Sequence, residues 1–174
     1  MKQAATHERM SDPVVAAPAE AESRMRMLPF TQSLPSKLLR LREAVIQRFR
    51  PLVHMRQLTD QQWRIIRALA EFKEAEILVL SEWCTIHPAS LSRILPKMES
   101  AGLITRRTNA ADKRRVIGAL SEKGWALYES ILPESDVVYQ TLIDDIGPER
   151  LDELNRILDD VVDALTKPRG ARHS

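Results

Sequence analysis

The sequence predicts a mostly α-helical fold of about six helices interrupted by a short two-stranded hairpin, and three observations lead there. Aromatic residues are 5% of the 174 residues and glycine occurs five times, too few for a turn-rich sandwich or barrel. Apolar residues recur at three- and four-residue spacing along most of the chain. Between these stretches, Leu103 to Thr105 and Val116 to Leu120 are short apolar or β-branched runs flanking the polar stretch Arg106 to Arg115, the pattern of a hairpin. With 44% apolar residues, a chain of this length buries one ordinary core, so one compact unit with tails is expected.

Residues 1–28 mix Ala, Pro, Glu, Ser and Met without a periodic pattern and are expected to form a flexible arm. From Ser33 to about His54, Leu34, Leu38, Leu41, Val45, Phe49 and Leu52 mark a first helix, ending near Pro51 to Gln57. Thr59 with Gln62 three residues on is a capping box, and Trp63, Ile66 and Leu69 then share one face of a second helix to about Phe72. Ile77 to Leu80 is an apolar run, after which Ser81 is positioned to cap a brief third helix carrying Trp83 and Cys84. Pro88 restarts the chain in a first helical turn, and Leu91, Ile94, Leu95 and Met98 line a fourth helix closed at Gly102. Pro96 lacks a backbone donor and is expected to kink that helix. Ser121 caps a fifth helix, Lys123 to about Asp145, and Pro148 opens a sixth with Leu151, Leu154, Leu158, Val161 and Leu165 in register. Residues 168–174 are expected to fray.

Charge is distributed unevenly. From Pro88 to Arg115 seven basic residues face two acids, Glu99 and Asp112, whereas from Ser121 to Lys167 twelve acids face four bases. A polyanion is drawn to the first region and repelled by the second. No apolar stretch is long enough to span a bilayer and no signal segment opens the chain, so a cytoplasmic protein without membrane contact is expected. The single cysteine, Cys84, rules out a disulfide framework within the chain and reads as a small buried hydrophobe. No nucleophile-base pair, metal cluster or phosphate-cradling loop is apparent, so neither an enzyme nor a cofactor is expected.

Helix, short helix, helix ending in glycine and basic hairpin is the order of a winged helix-turn-helix, whose later helix enters the major groove of double-stranded DNA. On the fourth helix the core takes the apolar face, leaving Pro88, Ala89, Ser90, Ser92, Arg93 and Lys97 outward; small residues permit close approach and Arg93 suits a guanine edge. Arg106, Arg107, Lys113, Arg114 and Arg115 crowd charge onto a tip narrow enough for a minor groove, with Asp112 placed to brace an arginine. The bland alternative is a solvated basic surface, which five cations on one hairpin disfavour.

Gly102-Leu103-Ile104-Thr105-Arg106, then Asp112-Lys113-Arg114 and, five residues on, Leu120-Ser121, resemble the wing signature of the MarR family of bacterial regulators. Leu41-Arg42-Glu43-Ala44, Phe49-Arg50-Pro51 and Leu58 to Ile65 are similar to the branch that regulates homoprotocatechuate degradation. The resemblance implies a winged-helix domain over 29–167, with a DNA-binding lobe at about 58–120 and dimerisation helices at about 33–56 and 121–167. It further implies a homodimer that represses at a pseudo-palindrome and is released by a small, often phenolic, ligand bound between the first, second and post-wing helices. For that cleft, Phe30, Leu38, Arg40, His54, Trp63, Arg64 and Arg67 supply apolar walls and cations, suited to a small aromatic carboxylate or its CoA thioester. The plainer readings are that Trp63 packs in the core and that Arg40 and Arg64 pair with Glu43 or Asp60.

Overall fold

The computed structural model describes residues 29–167; the expected arm and tail lie outside them. The chain divides between Leu39 and Arg40 into two compact units. In the first, a 3₁₀ turn at Phe30–Gln32 precedes the start of helix α1 (Leu34–His54), and Ser33 Oγ donates to the Phe30 carbonyl at 2.9 Å.

In the second unit α1 continues past Pro51 to His54. Helix α2 (Asp60–Phe72) opens on a complete capping box: Gln62 N–H donates to Thr59 Oγ1 at 3.2 Å and Thr59 N–H to Gln62 Oε1 at 2.9 Å. Strand β1 (Glu74–Glu76) follows, with Lys73 at φ +70° making the turn. Helix α3 covers Ile77–Trp83. This corrects the expected start: the apolar run is itself the helix, and Ser81, rather than capping it, is buried within it and donates to the Ile86 carbonyl at 2.6 Å. That bond ties down the turn into α4 (Pro88–Ser100), which is assigned as one helix through Pro96.

Strands β2 (Ile104–Thr108) and β3 (Val116–Leu120) form the hairpin, and β1 adds to the outer edge of β3, giving an antiparallel sheet in the order β1-β3-β2. The register places Glu76 and Arg107 on either side of Ile117, and Ala75 and Arg106 on either side of Gly118. Ser121 Oγ accepts from Gly124 N–H at 3.0 Å and so caps α5 (Glu122–Ile146); α6 (Pro148–Thr166) follows Gly147, at φ +90°.

The core gathers Ile65, Ile66 and Leu69 of α2, Leu80 of α3, Leu91, Leu95 and Met98 of α4, Ile104 of β2 and Ile131 of α5, each at most 2% exposed. Burying such side chains contributes about 1.5–3 kcal/mol each, which fixes α4 and the hairpin on one scaffold. Helix α6 lies outside this economy, since Ile157, Val161, Val162 and Leu165 are all exposed.

Candidate functional site: a basic hairpin and an aromatic cleft

On α4, Leu91, Leu95 and Met98 are buried, so helical periodicity turns Pro88, Ala89, Ser92, Arg93 and Lys97 outward, with Ser90 half-buried. His87 Nδ1 accepts from Ala89 N–H at 3.3 Å, an N-cap made by the residue ahead of the proline, and Ser92 Oγ donates to the Ala89 carbonyl at 2.9 Å. Arg93 and Lys97 have no ion-pair partner among the described residues.

The wing cations fall into two classes. Three arginines are engaged: Arg106 on Glu99, Arg107 on Glu74 at 2.9 Å, and Arg115 on both Glu76 at 3.1 Å and Asp112 at 3.2 Å. Hydrogen bonds from Arg115 to Glu76, and then to Asp112, hold its guanidinium still more firmly protonated than usual. Lys113 and Arg114 carry no side-chain ion pair among the described residues. Asp112 Oδ1 also accepts from Arg114 N–H at 3.0 Å, so this one carboxylate fixes both backbone and side chain at the tip. Sequence reasoning missed Glu74 and Glu76, since only strand pairing brings β1 to the hairpin. A groove of about 320 Å³ between α4 and the wing is lined by Glu76, Ser92, Arg106, Arg114 and Arg115.

A second cleft, of about 310 Å³, is walled by Phe49 of α1, Trp63 and Phe72 of α2, Trp83 of α3 and Tyr139 of α5. Phe49 meets Tyr139 edge-on, with ring centroids 5.1 Å apart, and Phe72 stacks on Trp83 at 3.9 Å. Arg64 and Arg67 line the cleft as expected from sequence, but they differ in availability. Arg64 donates from Nη1 to the Cys84 carbonyl at 2.7 Å, whereas Arg67 is exposed and has no partner among the described residues. Arg50 also lines the cleft, held by Glu43 at 2.9 Å and Asp60 at 3.1 Å. These acids therefore serve Arg50 and not, as the plainer sequence reading had it, Arg40 or Arg64. The Arg50 contact keeps the Glu43 carboxyl below its usual pKa. Glu71, one turn beyond Arg67, lines the cleft as well and is exposed.

Four expected cleft residues are not among those lining it. Phe30 and Leu38 belong to the first unit and are exposed, 79% and 41%. Arg40 is exposed because nine helical residues separate it from Phe49, which places it on the opposite side of α1. His54 sits over a separate shallow depression with Thr59 and Asp60, its Nε2 3.7 Å from Asp60. Phe49, Phe72, Trp83 and Tyr139 were not picked out as cleft residues from sequence, where Phe49 alone read as a member of an apolar stripe. Cys84 lines the cleft and is buried, and burial raises its thiol pKa. Among the described residues no cluster of His, Cys, Asp and Glu is arranged to hold a metal ion, and no helix is long and apolar enough to cross a membrane.

The model of the MarR family matches residues 58–116, the stretch from α2 to the wing. The HTH-type transcriptional regulator FarR of Neisseria gonorrhoeae is 37% identical over 137 residues, covering 79% of this chain and 91% of that protein. The homoprotocatechuate degradative operon repressor of Escherichia coli is 34% identical over 130 residues, 75% and 88% of the two chains. Among solved structures, NadR in complex with 4-hydroxyphenylacetate superposes with a TM-score of 0.69 at 36% identity, covering 79% of this chain and 97% of that one.

Proposed function

Since this chain belongs to the MarR family and is a winged-helix transcriptional regulator, we propose that it is a ligand-responsive repressor of aromatic-acid catabolic genes, released from DNA by a small aromatic carboxylate. The observation that carries the ligand is the cleft: aromatic walls on four helices and, lining it, the cation Arg67, which has no ion-pair partner among the described residues. A ring lies against Trp63 and Tyr139 while its carboxylate takes a charge-assisted hydrogen bond from Arg67. In a cleft of about 310 Å³ the acyl part of a CoA thioester is accommodated with its nucleotide left outside, so the free acid is the better fit. The names of the homoprotocatechuate repressor and of the NadR complex point the same way.

Arg64 gives the cleft a route to DNA. It lines the cleft and also holds the carbonyl of Cys84, which ends α3 three residues before His87, the cap of α4. A ligand that redirects this guanidinium changes the seat of the DNA-reading helix and shifts the population away from the binding form. Calorimetry with 4-hydroxyphenylacetate is expected to give saturable binding that weakens about tenfold in Arg67→Ala, the loss of one charge-assisted bond. The same acid is expected to release the protein from a duplex recovered by selection from a random pool. Neither heat nor release across benzoates, phenylacetates and their thioesters would favour a DNA-binding regulator without a small-molecule effector.

The exposed apolar face of α6 supports a homodimer in which this helix packs against its partner. Val161→Asp places a charge on that face and is expected to raise the dimer dissociation constant about tenfold, read by sedimentation. A variant dimer as tight as the parent would move the interface elsewhere.

A further inference from the structure

The geometry points to Glu74 and Glu76 as specificity-determining residues of the DNA-binding surface, which hold Arg107 and Arg115 and so limit indiscriminate attraction to phosphate. Viewed along the chain, the region from Pro88 to Arg115 carries seven cations against two acids. Pairing of β1 with β3 brings two further acids to that same surface. Their side chains do not merely lie nearby: each is spent on a wing arginine.

Arg107 opposes Ile117 across the hairpin, whereas Glu74 opposes Ala119 on the far side of β3. To make its bonds of 3.0 and 2.9 Å to Glu74, the Arg107 side chain therefore spans the central strand and points back over the sheet. Arg115 is held from two directions, by Asp112 within the hairpin and by Glu76 from outside it. Glu76 also accepts from Asn109 Nδ2 at 3.4 Å and lines the groove between α4 and the wing, where the other charged residues are the cations Arg106, Arg114 and Arg115.

An exposed ion pair contributes little to stability, so fold strength is a weak account of two such pairs on one three-residue strand. Their consequence for DNA is larger. Random-sequence binding comes almost wholly from cations that displace counterions from phosphate, and each one engaged adds about 0.9 to the salt slope. An arginine already on a carboxylate must leave it to take part, and the carboxylate then faces the phosphate. Glu74 and Glu76 weaken binding to any sequence alike, leaving discrimination to α4 and to Arg114, which has no ion pair among the described residues. This is a repulsive element built against the wrong partner.

The inference rests on the DNA-binding reading, and a parent protein that binds neither duplex below would overturn that reading first. The test is fluorescence anisotropy of the full chain and its Glu74→Gln/Glu76→Gln variant at four salt concentrations. The probes are a random-sequence duplex of about 30 base pairs and a duplex recovered by selection. Expected for the variant are about fivefold tighter binding to the random duplex, a salt slope steeper by about one to two, since Asp112 still holds Arg115, and a smaller preference for the selected duplex. The single Glu74→Gln variant is expected to add about half that slope. Three results overturn the proposal: weaker binding to both duplexes, which would make the acids simple braces of the wing; no change; or equal tightening in Glu122→Gln/Glu129→Gln, which would make the effect one of net charge alone.

Discussion

Alanine at Gly124 is expected to destabilise the protein by about 2 kcal/mol or more and to lower its melting temperature by about 4–8 °C. Gly124 lies in the first turn of α5, where the helix crosses the start of the wing. A Cβ there would stand 2.0 Å from the Leu103 carbonyl oxygen and 3.3 Å from Leu120 Cδ2. Relief is blocked because that oxygen accepts the Ser121 N–H at 3.1 Å, and Ser121 in turn caps α5. Moving Leu103 therefore disturbs β2 and the helix cap together. Alanine gains about 1 kcal/mol in helix propensity, which the overpacking cost of up to about 3 kcal/mol exceeds. Circular-dichroism melting checks the sign: a variant as stable as the parent would show that α5 is not seated on β2 at this point.

For DNA binding the largest single loss is expected at Arg114. Arg114→Ala should weaken binding to a selected duplex about thirtyfold, close to 2 kcal/mol, and flatten the salt slope by about one, while leaving the melting temperature unchanged. The reason is its position: its backbone is fixed by Asp112, yet its side chain is one of two on the wing without an ion pair among the described residues. Arg106, held by Glu99, is the contrast. Its guanidinium is already engaged by a carboxylate and contributes less to phosphate, so Arg106→Ala is expected to lose less than Arg114→Ala. Anisotropy over a range of salt measures both terms, and unchanged binding in Arg114→Ala would take the wing tip off the DNA.

Much of this architecture was legible in the sequence because local signals and tertiary structure agree. Thr59 with Gln62, Ser121 before α5 and Pro148 after Gly147 mark helix starts through hydrogen bonds or fixed dihedrals within a few residues. Strand β1 has no such signal: Glu-Ala-Glu lacks β-branched residues and exists only through its pairing with β3. Ile77 to Leu80 was ambiguous for a related reason, since a short apolar run fits strand and helix alike. In the cleft, Trp63, Arg64 and Arg67 were named through the family resemblance, which implies a ligand beside α2. Arg40 was misplaced because the face of α1 follows from its partners in space. Phe49 and Tyr139 are invisible as a pair, being 90 positions apart and joined only when α1 and α5 meet.

The three tryptophans occupy distinct surroundings, and this gives the molecule an optical character of its own. Trp63 is shielded at the cleft, Trp83 is 44% exposed at its rim against Phe72, and Trp125, outside the lining, lies under the Lys73 ammonium 4.7 Å from its ring. Whatever enters the cleft perturbs two emitters that differ in their access to an aqueous quencher and leaves the third as an internal reference. Native fluorescence thus separates filling of the cleft from a disturbance of the whole chain, with no dye attached.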